Sequence, residues 1–191
     1  MLAAAGCKVE YVTKYWGFDK RRGKCYLFTE RKRRVIFTNL NQTISDNFIY
    51  LMQIVYSYSP RVEVRGDFLI HVEDIISDLL KYSELGCKTW LVPEEVMNSN
   101  DIVKSAWIRG FADGDGGVSG NFVILHSINK AGLDSVSRLL DSLNIHNYIL
   151  GPYGSARAYK LKVDPVRYGE LIGFVHPNKK VKLEILVKKL S

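Results

Sequence analysis

Trp107-Ile108-Arg109-Gly110-Phe111-Ala112-Asp113-Gly114-Asp115-Gly116-Gly117 decides how this chain is read. Val103, Ala106, Trp107, Gly110 and Phe111 recur at the three- and four-residue spacing of one helix face. The run Asn98-Ser99-Asn100-Asp101 is placed to cap that helix at its start. Ala106, Gly110 and Gly114 stand four residues apart and leave almost no side chain along their row. Such a row lets a second backbone approach closely. Asp113 and Asp115 fall in the last turn, where the helix dipole disfavours an acid by roughly 0.3–1 kcal/mol. Two acids kept at that position beside a close-approach row are expected to have a use. Gly116 and Gly117 are placed to supply a left-handed cap.

Ile108 to Gly116, read as Ile-Arg-Gly-Phe-Ala-Asp-Gly-Asp-Gly, resembles the signature motif of the LAGLIDADG homing endonucleases. The resemblance implies an α+β saddle of two pseudo-symmetric halves, each an antiparallel β-ribbon with packed helices. It implies that two motif helices meet through the row Ala106, Gly110 and Gly114. It further implies sequence-specific cleavage of double-stranded DNA, with Asp115 and the Gly114 carbonyl holding Mg2+ or Mn2+. In such enzymes a lysine near the scissile phosphate comes from a segment like Phe174 to Lys180, which makes Lys179 or Lys180 the candidate. Non-cleaving DNA-binding proteins and intron RNA maturases share the fold and stay open as alternatives. An intein is disfavoured, because the chain ends Lys-Lys-Leu-Ser without a His-Asn pair. A calcium loop is disfavoured too: with Asp113 as position 1, position 12 is Ile124, not glutamate.

The resemblance implies two motifs, and one is intact. Ala3-Ala4-Ala5-Gly6 falls where Asp113-Gly114-Asp115-Gly116 stand in the later copy, so a first motif is either an acid-free remnant or absent. A monomer would oppose Ala5 to Asp115. A homodimer joined through the motif helix would bring two copies of Asp115 together.

Charge supports a nucleic-acid partner. Of 191 residues, 47% are hydrophobic and 25% charged, an ordinary globular balance, and the net charge is +7. Nine basic and two acidic residues lie between Lys14 and Arg34, and nine basic and three acidic between Arg157 and Ser191; the remainder is net −6. Two concentrated basic segments on an acidic body make the local field that phosphate binding needs. The three cysteines have no metal-ligand or disulfide spacing. No apolar run is long enough to span a bilayer, and a cytoplasmic location is expected.

The remaining order reads as an α+β protein containing a repeat. Lys8 to Trp16 and Lys24 to Thr29 alternate as strands around a basic turn, and Val35 to Asn39 makes a third. Tyr11, Tyr15, Trp16, Tyr26 and Phe28 interleave with the cations, as either a nucleic-acid surface or a core-facing row. A helix capped by Thr43 or Ser45 runs to about Ser57, with Ile44, Phe48, Leu51, Met52 and Val55 on one face. A hairpin spans Arg61 to Val72, and a helix Glu73 to Tyr82. After Gly117 the same order returns: strand Phe122 to Asn129, helix Gly132 to Leu143, hairpin Tyr148 to Val163, helix Asp164 to Phe174. The expected halves are residues 1–97 and 98–191. A two-stranded ribbon fits the major groove. The residues expected to contact DNA are Lys14, Lys20, Arg21, Arg22, Lys24, Arg31, Lys32, Arg33, Arg34, Arg61, Arg65, Arg157, Lys160 and Lys162.

Overall fold

A computed structural model describes residues 11–63, 67–82 and 88–190. The Ala3–Gly6 segment and Arg65 lie outside those residues, and Arg31 and Lys32 are described only in their backbone. The chain opens with a long antiparallel ribbon, β1 (Tyr11–Asp19) and β2 (Lys24–Lys32). β3 (Val35–Thr38), α1 (Gln42–Tyr56), β4 (Arg61–Val62), β5 (Asp67–Ile70) and α2 (Glu73–Tyr82) follow. Then come α3 (Glu94–Met97), α4 (Asp101–Asp115), β6 (Gly116–Ser119), β7 (Phe122–Ser127) and α5 (Lys130–Ser142). β8 (Asn147–Tyr153), β9 (Ala158–Val163), α6 (Pro165–Leu171) and α7 (Pro177–Leu190) complete the chain. The strands form a two-stranded ribbon, a three-stranded sheet in the order β3-β5-β4, and a four-stranded sheet in the order β6-β7-β9-β8.

The internal repeat is present in the pairing. Val35 opposes Ile70 and Phe37 opposes Phe68; in the second copy Val123 opposes Val163 and Leu125 opposes Leu161. Each strand leads to a helix capped in the same way. Asn41 Oδ1 accepts from Ile44 N at 3.2 Å, and Asn129 Oδ1 accepts from Gly132 N at 3.1 Å. The cap of α1 is therefore Asn41, not Thr43 or Ser45. Ser45 is buried and donates its hydroxyl to the Asn39 carbonyl. Asparagine two residues outside the apolar run does the capping because its short carbonyl reaches the third amide of the helix.

One continuous apolar cluster joins both copies. Phe37, Phe48 and Phe68 cluster with ring centroids 4.1–6.2 Å apart, and Trp90 meets Phe111 of α4 at 4.9 Å. Fully burying one such side chain stabilises by roughly 1.5–3 kcal/mol. The periodicity overstates the buried face of α1. Ile44, Phe48 and Met52 are inside, whereas Leu51 and Val55 are exposed. Of the ribbon aromatics, Trp16 and Tyr26 stand exposed, while the side chains of Tyr11, Tyr15 and Phe28 lie outside the described residues.

Two readings around the motif change. Gly116 is extended (φ −109°, ψ 177°), so α4 does not end in a left-handed cap but turns straight into β6. The glycine is needed for space. A Cβ there would lie 2.7 Å from both the Ala112 carbonyl oxygen and Leu125 Cδ2. Along the row of small residues, Ala106 and Gly114 are exposed, and a Cβ on Gly114 would meet nothing within 4 Å. Among the described residues, the end of this row faces the β3–α1 corner (Phe37, Asn39, Ile44 and Asn47 around Gly110 and Gly114), and not a second motif helix.

Candidate active site and nucleic-acid face

The end of α4 is assembled by α7. Lys179, in the first turn of α7, donates from Nζ to the Asp113 carbonyl at 2.7 Å and to the Ala112 carbonyl at 3.1 Å. Both carbonyls belong to the last helical turn and carry the negative end of the dipole, and that of Ala112 also accepts from the Gly116 amide. A lysine ammonium is a natural partner for them. Lys180 points elsewhere: it is exposed and borders a groove between α6 and α7, away from the motif carboxylates.

The two motif acids part ways. Asp113 is buried, and its carboxylate accepts from the backbone N–H of Val175 (3.1 Å to each oxygen) and of His176 (3.0 Å). Burial raises its pKa, with the two amides and then Lys179 acting against that. Asp115 is half-buried and accepts no hydrogen bond among the described residues. Burial pushes it up to about 6, and the neighbouring Lys179 cation pulls the other way. Lys179 itself is lowered by burial, with Asp113 and Asp115 opposing. Asp115 is thus a partly desolvated carboxylate beside a cation, with no hydrogen-bond donor from the described residues.

This chemistry suits one hard divalent cation. Magnesium binds through one or two carboxylates and keeps water or phosphate oxygens for its other positions. Among the described residues no cluster of three or more His, Cys, Asp or Glu side chains could cage a metal without such outside ligands.

β6 carries the chain from Asp115 onto the outer face of the four-stranded sheet. Side chains alternate, so Val123, Leu125, Leu161 and Val163 fill the core and their neighbours look outward. Gly117, Ile124, Lys162 and Tyr148 form one cross-strand row, and His126, Lys160 and Leu150 the next. Lys162 Nζ lies 4.7 Å from the Phe122 ring centroid and 5.8 Å from that of Tyr148; Lys160 Nζ lies 5.4 Å from Tyr153. Ser119, Asn121, Phe122, Tyr153, Lys160 and Lys162 border a concavity on this face. Burial and the Lys160 cation hold His126 below the ordinary histidine range, favouring its neutral form. Ser119, Asn121, His126, Tyr148 and Tyr153 were absent from the sequence-based set, which took cations only. The period-two pattern of β7 and β8 could have found His126 and Tyr148.

The N-terminal cations divide by their surroundings. Lys14, Lys20, Arg21, Arg22 and Lys24 are exposed along the ribbon and its turn. Asp19 shapes that turn by accepting from the Arg21 and Arg22 amides, and the Arg22 guanidinium lies 5.8 Å from the Tyr26 ring. Arg33 is half-buried against α2, where it forms an ion pair with the exposed Glu73 and donates to Ser77. Arg34 is half-buried. Arg61 lies 3.6 Å from Glu63, and Arg157 is exposed in the β8–β9 turn with φ +52°. Among the described residues no helix is long and apolar enough to cross a membrane.

Comparison with known proteins agrees with this architecture. Residues 103–163, from the motif helix through β9, match the model of the LAGLIDADG-like domain. Among solved structures, the chain is similar to mesophilic variants of the homing endonuclease I-DmoI at 20% identity and a TM-score of 0.61, covering 85% of this chain and 80% of that one. It is also similar to I-DmoI in complex with DNA and Ca (16% identity, TM-score 0.61, 90% of each chain). A further similar structure is I-DmoI in complex with DNA and Mn (17% identity, TM-score 0.61, 90% of this chain and 92% of that one). At these identities the likeness is one of fold. No curated protein matches the chain in sequence. The motif at the end of α4 thus lies within a LAGLIDADG-like domain match over residues 103–163, and the chain shares the fold of the homing endonuclease I-DmoI.

Proposed function

We propose that the chain is a sequence-specific endonuclease that hydrolyses phosphodiesters of double-stranded DNA with a divalent cation. The observation that carries the reading is Asp115: a half-buried carboxylate without a hydrogen-bond partner among the described residues, beside the Lys179 ammonium, where α4 enters a basic and aromatic sheet face. In this reading Asp115 and the Gly114 carbonyl hold Mg2+ or Mn2+. A bound cation would supply charge neutralisation at the phosphate and a more acidic water. Lys179 offsets the charge that builds on the phosphate. Lys160, Lys162 and the exposed ribbon cations bind the backbone, while Phe122, Tyr148 and Tyr153 keep the lysine ammonium groups in place by cation–π contact. I-DmoI has been crystallised with DNA and Mn, and with DNA and Ca, on the same fold.

A non-cleaving DNA binder is the second reading, favoured by one observation. Asp113 is committed to backbone amides, so each chain offers a single open carboxylate at the site. A two-chain form meeting through Ala106, Gly110 and Gly114 would supply a second Asp115. A randomised double-stranded DNA library incubated with the protein in Mg2+ tests the enzyme reading. Enrichment of cut ends sharing one sequence is the expected outcome. Enrichment of bound but uncut sequences in both Mg2+ and Mn2+ would replace it with the binder.

A further inference from the structure

We propose that Asp113 and Arg109 are positioning residues that hold the 172–176 turn against α4 and thereby set where Lys179 sits. This rests on the reading of Lys179 as the cation that serves the phosphate. The two residues stand four apart on α4, so they share one side of the helix. Arg109 Nε donates to the Ile172 carbonyl at 2.6 Å, and the Asp113 carboxylate takes the amides of Val175 and His176. His176 passes the constraint on: its carbonyl accepts from the backbone amides of Lys179 (3.1 Å) and Lys180 (3.0 Å) as α7 begins. Lys179 Nζ then returns to the Asp113 carbonyl at 2.7 Å. A closed circuit results, from the Asp113 side chain through His176 and Lys179 back to the Asp113 backbone.

The circuit accounts for an otherwise unfavourable residue. A buried acid in the last turn of a helix faces the negative end of the dipole and loses its hydration. Two amides that precede α7 compensate it, and those same amides lack helical acceptors of their own. A lysine side chain has four rotatable bonds, so its ammonium is no better placed than the backbone that carries it. Arg109 and Asp113 anchor that backbone at both ends of the turn.

Single-turnover cleavage of a selected target by Asp113→Ala, Arg109→Ala, Lys179→Ala and Asp113→Ala/Lys179→Ala tests the inference. DNA affinity and thermal melting are measured alongside. Lys179→Ala is expected to slow cleavage. Asp113→Ala should slow it roughly 10–100-fold, the cost of misplacing a reacting group by about 1 Å, with affinity for DNA within about twofold. Asp113→Asn, which keeps one acceptor oxygen, should recover most of the rate. In the Lys179→Ala background, Asp113→Ala should cost nothing further. An additive loss in the double variant would overturn the tether while leaving the lysine reading in place. Cleavage by Lys179→Ala at the unaltered rate would overturn both. If Asp113→Ala does not fold, Arg109→Ala and its Lys179→Ala double carry the same comparison from the other end of the turn.

Discussion

The two copies of the repeat differ most on the helix that follows the core strand. α1 and α5 start from the same asparagine cap and bury Met52 and Leu140 alike, at 3% and 0% exposure. Counting from the caps, Leu51 is the counterpart of Leu139 and Val55 that of Leu143. Leu139 and Leu143 are 0% and 5% exposed, whereas Leu51 and Val55 are 38% and 64% exposed. The cause is what lies beside each helix. α5 packs on β7, β8 and β9 of its sheet, and Lys104 Nζ of α4 reaches its end at Ser142 Oγ, 3.1 Å away. Among the described residues α1 packs on no strand or helix as closely. A repeat in sequence thus builds two similar shells, of which the second is the more tightly packed.

That comparison can be broken at the core first. Leu139→Ala should destabilise the protein by about 2–5 kcal/mol, while Leu51→Ala should cost under about 1 kcal/mol. Chemical denaturation of the two variants reads the difference, and equal losses would mean that α1 is packed as α5 is. The acid at the end of α4 should act in the opposite direction. Its folded pKa is raised to about 6 from 3.8, so its contribution to stability is full below about pH 4 and is lost as pH rises through about 6. Asp115→Asn should therefore stabilise the metal-free protein at pH 8 by about 1–2 kcal/mol, allowing for partial solvent screening. At pH 4 the melting temperatures should coincide.

Smaller effects separate the cations of the two copies. Lys160→Ala and Lys162→Ala should each lower the slope of log K against log salt by about 0.9 on double-stranded DNA. Arg33→Ala should leave that slope unchanged, because its partners are Glu73 and Ser77. The smallest effect is expected at Tyr168. Its buried hydroxyl has no hydrogen-bond partner among the described residues, so Tyr168→Phe should change the unfolding free energy by under about 0.5 kcal/mol.

Much of the architecture was legible because its signals are local. The alternation of β7, the apolar face of α5, and the Asp-x-Asp-Gly ending of α4 can each be read within one window. The motif also marked Asp115, which is half-buried beside Lys179 at the end of α4. Other features depend on residues far apart in the chain. Nothing near Asp113 shows that it will take the amides of Val175 and His176, more than 60 residues on. Lys179 and Lys180 are equivalent in sequence and separate only when the first turn of α7 chooses a side. Gly116 was misread because a glycine pair after a helix usually signals backbone freedom, while here Leu125 from the next strand demands space. The exposure of Leu51 and Val55 was invisible for the same reason: periodicity gives the apolar face but not what comes to cover it.

The central claim, that the open carboxylate at the end of α4 serves the chemistry and not the grip on DNA, is tested most directly by single-turnover cleavage and equilibrium binding of Asp115→Asn on one selected target in Mg2+. The account predicts a cleavage rate lower by roughly a thousandfold or more, about 4 kcal/mol in the barrier, with binding unchanged or tighter. Cleavage by Asp115→Asn at the rate of the unaltered protein would contradict it.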